Sequence, residues 1–247
     1  MNAGAEPGHV YLVGAGPGDP NLLTLRAADL LRTANVILPD DLVSDEVLAL
    51  VSPTAAIIPV GKRCGQPRIT QASIHALMLE HASTRDGHAG SSVVRLKSGD
   101  PLVFGRAGEE IEALRAAGIP FEIVPGISAA FAVAATLQTP LTDRTSASKL
   151  ILATAHHAAG KIALSASWSG AFPDDATLVI YMPGRDFAAL SANLIASGIP
   201  PETPCVAVSK ATTPGQHICP TTLAGLPTAS IGPAPVLLMI GRAIQLP

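Results

Sequence analysis

The chain has 247 residues, 48% of them hydrophobic, 14% charged and 3% aromatic, with 22 glycines, 22 prolines and a net charge of −3. That length and apolar content suffice for one large domain or two small ones with real cores, and they exclude a disordered or fibrous chain. The slight negative charge gives no footprint for nucleic acid or an anionic membrane, and so few aromatics leave no base-stacking platform.

Short β-rich runs alternate with longer helical stretches. Strands are predicted at Val10–Val13, Val36–Leu38, Ile57–Pro59, Val93–Leu96 and Phe121–Ile123, with helices at Leu22–Ala34, Gln71–Ala82 and Ala107–Ala117. This alternation predicts an α/β fold with a mostly parallel sheet and crossover helices. A small-residue helix follows around residues 130–140. A second series then brings strands at Leu150–Thr154, Thr177–Tyr181, Cys205–Val208 and Val236–Ile240, with Asp186–Ala196 as its clearest helix and 158–174 as a loop. The expected organisation is an amino-terminal α/β domain over 1–128 and a carboxyl-terminal α/β domain over 129–247.

Residues 123–142 carry no Asp, Glu, Lys or Arg, but Pro125, Gly126, Gln138 and Pro140 interrupt them. They read as a turn and a buried helix, not a membrane span. Residues 1–9 include Glu6 and lack an apolar stretch, so no secretory signal is expected there. Cys64, Cys205 and Cys219 are odd in number and far apart, which argues for reduced thiols in a cytoplasmic protein and against a disulfide framework or zinc site. His156 and His157 would point to opposite faces of a strand, with no third ligand evident, so no metal is expected.

Two segments carry chemistry. Val10-Tyr11-Leu12-Val13-Gly14-Ala15-Gly16-Pro17-Gly18-Asp19-Pro20 imitates a dinucleotide fingerprint, yet Pro17 and Pro20 delay the helix to about Asn21 or Leu22. A pyrophosphate would face no helix N-terminus, so a nicotinamide or flavin site is rejected. The second segment runs from Val93-Val94-Arg95-Leu96-Lys97 through the turn Ser98-Gly99-Asp100-Pro101 to Gly105-Arg106-Ala107-Gly108-Glu109-Glu110. It reads as a strand, a turn that bares backbone N–H groups beside a carboxylate, and a helix start.

With Asp40-Asp41-Leu42-Val43-Ser44, Val60-Gly61-Lys62-Arg63, Val124-Pro125-Gly126-Ile127-Ser128-Ala129 and Pro140-Leu141-Thr142-Asp143-Arg144, these segments form an ordered series. In order and spacing the series resembles the tetrapyrrole methylases, over about residues 10–242. The resemblance implies two α/β lobes with the active site in the cleft between them, S-adenosylmethionine as methyl donor, a small-molecule tetrapyrrole substrate and a homodimer. It further implies two successive C-methylations converting uroporphyrinogen III to precorrin-2, for sirohaem- or cobalamin-type synthesis. A methylase of a later precorrin, or a non-catalytic cofactor-binding relative, stays open beside that reading.

The resemblance also assigns residues. Asp40 becomes a proton acceptor, the alternative being a helix N-cap to which Asp41 or Ser44 has the better claim. Lys62 becomes a proton donor, the alternative being a surface lysine. Arg106 and Glu109 fall in the substrate cleft, where Arg106 clamps substrate or positions a water, since a guanidinium rarely yields its proton; three residues apart, the two could instead form a local ion pair. Arg144 becomes a substrate arginine or a partner of Asp143 or Asp100. Cofactor contacts fall on Pro17, Ser98, Gly99, Asp100, Val103, Ser128, Ala129, Met182 and Ala211. Met182 could otherwise be a core filler. Five residues depart from the family pattern: Pro39 stands where Tyr or His is usual, Ser98, Ala107 and Ala155 stand where the family has Gly, and Val236 stands where a smaller Ala is common. A positive φ at Ser98 or Ala107 would cost about 1 kcal/mol or more.

Overall fold

The structure, a computed structural model, describes residues 4–61, 69–84, 89–155 and 172–244. The chain divides into two compact units, Met1–Ser128 and Ala129–Pro247.

The first unit contains β1 (Val10–Gly14), α1 (Leu25–Thr33), β2 (Val36–Pro39), α2 (Asp45–Leu48), β3 (Ala56–Ile57), α3 (Gln71–Ala82), β4 (Val93–Lys97), α4 (Ala107–Ala116) and β5 (Phe121–Val124). Its strands lie in the order β3-β2-β4-β1-β5, and every pairing is parallel. Alternation along each strand divides the apolar side chains between two faces. Tyr11, Val13, Val94 and Leu96 pack with Leu30 and Leu31 of α1 and Val47 of α2. Val10, Leu12, Val36, Leu38 and Val93 pack instead with Ile74 and Met78 of α3 and Leu114 of α4. Both faces are therefore covered, which is why these strands read as nearly unbroken apolar runs. From neighbouring β1 and β4 the chain departs in opposite directions, through α1 on one face and α4 on the other. That is the switch-point geometry that opens a crevice at the carboxyl ends of parallel strands.

Helix α1 starts later than Leu22. Asp19 accepts from the Asn21 N–H and caps a 3-10 turn over Pro20–Leu22; Thr24, in extended conformation, then accepts from the Ala27 N–H and starts the α-helix anew. Ser44 caps α2 through the Val47 N–H and donates to the Gly18 carbonyl at 2.6 Å. The cap in this stretch is Ser44, and Asp40 is left for other work.

Three loops meet above β1. Gly16 and Gly99 exchange backbone hydrogen bonds at 3.2 and 2.7 Å. A Cβ on Gly14 would lie 2.5 Å from the Gly126 Cα, and one on Gly126 would collide with the Gly99 carbonyl oxygen. The approach is possible only for residues without side chains.

The second unit contains α5 (Ala129–Thr136), β6 (Lys149–Thr154), β7 (Ala176–Tyr181), α6 (Phe187–Ala196), β8 (Pro204–Ser209), β9 (His217–Thr222) and β10 (Val236–Ile240). Its order is β6-β7-β10-β8-β9, with β6–β7 parallel and the remaining pairs antiparallel. The mostly parallel expectation thus describes the first sheet, while the second is mixed. Ala130 and Val133 of α5 pack on Val179, Val206 and Met239, and Leu190 and Leu194 of α6 pack on the opposite face against Leu178, Ile180 and Ala207. Strand β9 is unanticipated because Pro220 interrupts it; the proline is tolerated at the sheet edge, where β9 bonds only to β8. The predicted loop 158–174 lies mostly outside the described residues. Among the described residues no helix is long and apolar enough to cross a membrane.

Gly126→Ala is expected to lower the unfolding free energy by about 2 kcal/mol or more, because backbone must move to admit the methyl group. Gly108→Ala, where a Cβ meets nothing within 4 Å on α4, should leave stability unchanged or raise it by up to about 1 kcal/mol. Urea unfolding of both variants measures the contrast.

Candidate active site

Strand β4 places Arg95 and Lys97 on the same face as Val93, beneath α3 and α4. A charge covered there must find a partner or lose several kcal/mol in desolvation. Glu110 of α4 supplies it. Arg95 Nε donates to Glu110 Oε1 at 3.0 Å, Nη1 donates to the Leu38 and Leu96 carbonyls at 3.1 and 3.3 Å, and Nη2 donates to Asp40 Oδ1 at 2.5 Å. Lys97 Nζ lies 2.9 Å from Glu110 Oε2, an ion contact that is not an aligned hydrogen bond. Gln71, at the start of α3, donates to Oε1 at 3.3 Å. The side chains of Arg95, Lys97 and Glu110 are 3%, 2% and 0% exposed. Burial, and then the neighbouring Arg95 charge, hold the Lys97 ammonium below its ordinary pKa against the opposing pull of Glu110 and Asp40.

Asp40 is the open end of this network, with its side chain 32% exposed. It lines a cavity of about 550 Å³ together with Gln71, Ser98 and Arg106. Arg106 occupies the left-handed region, at φ 56°, immediately before α4. Its guanidinium forks onto Glu109, Nε to Oε1 at 2.8 Å and Nη2 to Oε2 at 2.6 Å, with both side chains about half exposed. The local ion pair that the spacing allowed is therefore formed. The hydrogen bond from Arg106 holds the Glu109 carboxyl below its ordinary pKa. An exposed pair of this kind stabilises little, so Arg106 can exchange Glu109 for an incoming carboxylate at small cost.

The cofactor candidates of the first unit, Pro17, Ser98, Gly99, Asp100, Val103 and Ser128, all sit in the loops that follow β1, β4 and β5. Asp100 is committed to building them: Oδ1 accepts from the Leu102 N–H at 2.8 Å and Oδ2 from the Gly126 N–H at 3.0 Å. The Val103 N–H returns to the Asp100 carbonyl at 3.3 Å. Positive φ falls on Gly99, Phe104 and Arg106 and not on Ser98 or Ala107, so the strain foreseen at those two substitutions is absent.

In the second unit Ala129 opens α5, and the adjacent Ala130 N–H donates to Tyr181 Oη at 3.2 Å. Met182 follows β7 with φ 48° and is 46% exposed, which is not the position of a core filler. Ala211 follows β8 between Lys210 at φ 45° and Thr212 at φ 60°. Since β7 and β8 both run antiparallel to β10, these turns share one edge of the second sheet. Arg144 is exposed and, among the described residues, forms no ion pair. Asp143 is engaged locally instead, its Oδ1 accepting from the backbone and hydroxyl groups of Thr145 and Ser146. Lys62, His156 and His157 lie outside the described residues. No group of three His, Cys, Asp or Glu suited to a metal occurs among the described residues.

Arg95, Lys97, Glu110 and Gln71 went unremarked as site residues in the sequence. The signal for two of them was present: Arg95 and Lys97 stand two apart in a strand otherwise made of Val and Leu, hence on one covered face.

Crevice, cavity and buried charges together define a class, an α/β protein that takes a small ligand at the carboxyl ends of parallel strands. Within it the chain belongs to the family of Tetrapyrrole (Corrin/Porphyrin) Methylases, which its residues 9–227 match. It is similar to siroheme synthase 2 of Halorhodospira halophila, at 45% identity over 98% of this chain and 48% of that protein. Likewise it is similar to a uroporphyrinogen-III C-methyltransferase of Paracoccus denitrificans, at 44% identity over 96% of this chain and 82% of that one. A crystal structure of uroporphyrin-III C-methyltransferase from Thermus thermophilus, complexed with S-adenosyl homocysteine, superposes with a TM-score of 0.77 and 36% identity, over 95% of this chain and 98% of that chain. The chain spans about half the length of the siroheme synthase it matches.

Hydrogen bonds from Thr145 and Ser146 hold the Asp143 carboxyl down to about 2. A depressed native pKa adds stability that is complete above the unfolded value of about 4 and is lost as pH falls toward the native one. The stability difference between the native chain and Asp143→Asn should be full at neutral pH and shrink steadily below about pH 4, as urea midpoints measured across that range will show.

Proposed function

We propose that the chain is an S-adenosylmethionine-dependent C-methyltransferase that converts uroporphyrinogen III to precorrin-2 by two successive methylations, serving sirohaem- or cobalamin-type synthesis. The observation that carries this reading is the juxtaposition of Asp40 and Arg106 on one cavity wall, at the carboxyl edge that also holds the Gly99 turn. The named relatives support the substrate.

The loops fit a folded sulfonium nucleoside. A Cβ on Gly99 would meet only the Ser128 Cα, at 3.9 Å, so that side of the turn is open to close approach by a ligand. Leu102, Phe104 and Ile127 expose apolar surface in the same loops. Pro17, Ser98, Gly99, Asp100, Val103 and Ser128 of the first unit would hold the donor. When bound, the donor supplies an electrophilic methyl group, whose bonding pair stays on sulfur as a pyrrole carbon attacks.

The chain's own residues then have two tasks. The first is to hold a macrocycle bearing eight carboxylates, which calls for guanidinium groups able to bind bidentately. Arg106, on its exchangeable ion pair, and the exposed Arg144, which forms no ion pair among the described residues, are suited to it, and close positioning of reactants is the main source of rate in such a transfer. The second is to remove a proton from the bridge carbon next to the methylated ring, leaving the C–H electron pair to neutralise the ring cation. Asp40 takes that proton: Arg95 secures one carboxylate oxygen, and among the described residues the other carries no hydrogen bond. Lys62 is assigned the donor role. The protein acts in the cytoplasm as a homodimer.

Purified protein incubated with S-adenosylmethionine and enzymatically made uroporphyrinogen III should yield the dimethylated product. Methylation of a later precorrin alone, or donor binding without turnover, would overturn the reading. Arg106→Lys keeps the charge but loses the fork, and should lower turnover by about 100-fold while S-adenosylhomocysteine affinity, read by calorimetry, changes little.

A further inference from the structure

We infer that Glu110, acting through Arg95, is a positioning residue for the Asp40 carboxylate and governs turnover without touching either substrate. This rests on the proposed role of Asp40 in proton removal.

Asp40 stands at the end of β2, where its backbone N–H donates to the Leu96 carbonyl at 2.9 Å, but its carboxylate has a single described partner, Arg95 Nη2. The direction of that bond is fixed by the other arms of the guanidinium. Two contacts to the Leu38 and Leu96 carbonyls set the plane at the ends of β2 and β4. The bond from Nε to Glu110 fixes rotation within that plane. Glu110 is itself fully buried and is held from two further sides, by Lys97 and Gln71. A planar fork with three anchored contacts besides the one to Asp40 has one orientation. Removing the Glu110 anchor frees the arm that holds Asp40, and a displacement near 1 Å at a reacting group can cost about 100-fold in rate. Lys97 plays a different part. Its ammonium is the second cation on this strand face and balances the second acid, so that two carboxylates and two cations close the network.

The positions of the residues separate this from a purely structural role. Glu110 does not line the cavity, whereas Asp40 does. A loss of packing would lower stability and leave the kcat of folded protein intact. A loss of positioning lowers kcat and leaves donor affinity and KM nearly unchanged.

The test is a cycle of Asp40→Asn, Glu110→Gln and the double variant, assayed on the full chain with S-adenosylmethionine and uroporphyrinogen III, with circular dichroism and S-adenosylhomocysteine binding as checks of folding. Glu110→Gln should lower kcat about 100-fold with KM and donor affinity within about three-fold of native. Because Glu110 acts only through Asp40, the double variant should be no slower than Asp40→Asn alone. Arg95→Lys, which keeps the charge and loses the fork, should fall as Glu110→Gln does. If Glu110→Gln does not fold, the charge-balanced pair Lys97→Met with Glu110→Gln takes its place under the same criteria. An unaltered kcat in Glu110→Gln, or a double variant slower by the product of the single effects, overturns the positioning role while Asp40 keeps its own. Native-like turnover in Asp40→Asn would instead overturn the proposed role of Asp40, and the positioning role with it. A native chain inactive on uroporphyrinogen III would overturn the proposed function itself.

Discussion

Arg95 and Lys97 lie on a strand that is hydrogen-bonded on both edges and covered by helices on both faces, and both side chains are almost wholly buried. The desolvation of each charge, several kcal/mol after relaxation, dictates much of what surrounds them. Helix α4 must begin where its second acid, Glu110, reaches the buried face. The chain leaving β2 must bring Asp40 back toward β4, and the Leu38 and Leu96 carbonyls must remain available to the guanidinium. Removing one member would leave the others uncompensated, at a cost of about 3–5 kcal/mol. The contacts that keep these charges tolerable also aim the exposed acid at the cavity, so stability and orientation here share one set of bonds.

On the other flank of β4, the glycine contacts do the corresponding work with backbone alone. Gly14, Gly99 and Gly126 bring three loops to a separation that no side chain permits, and Asp100 stitches two of them by accepting from Leu102 and Gly126. The carboxyl edge of the first sheet is thus rigid on both sides of one strand, by ion pairing toward β2 and by backbone contact toward β1 and β5. Loops held in this way can present N–H groups and apolar side chains to a ligand without first having to be ordered, and ordering is a large part of what binding costs.

Short apolar runs and helix signals made the first sheet and most helices legible, because burial of both faces left each strand nearly all apolar. Strand direction in the second sheet was not legible, since periodicity is the same whichever way a strand runs. Strand β9 was hidden by Pro220, whose presence only an edge position explains. At the site, the motif order brought out Asp40, Ser98 and Arg106, which do share a cavity. It did not bring out what holds them. Glu109 and Glu110 are adjacent acids with opposite fates, 48% and 0% exposed, because one residue turns a helix by about 100°. Which of the two faces the core depends on where the helix starts, and element boundaries are the feature a sequence specifies least well.

Two of the residues that depart from the family pattern, Ser98 and Ala107, become intelligible in the same terms. Serine at position 98 would be costly only if the turn required a left-handed residue there, and that requirement falls one position later, on Gly99. Alanine at 107 is harmless because the left-handed residue is Arg106, one position earlier. Among the described residues, five of the six non-glycine residues with positive φ, namely Phe104, Arg106, Met182, Lys210 and Thr212, lie in loops at the carboxyl ends of strands; Gln138 is the sixth. Such conformations cost on the order of 1 kcal/mol each and persist only where surrounding contacts determine them. Arg106 is tied to Glu109, the Lys210 N–H donates to the Pro235 carbonyl, and the Thr212 N–H donates to Gln216 Oε1. Strain is gathered at the strand ends where a ligand would be met, so Ser98 and Ala107 change the composition of those turns without changing the backbone that a ligand contacts.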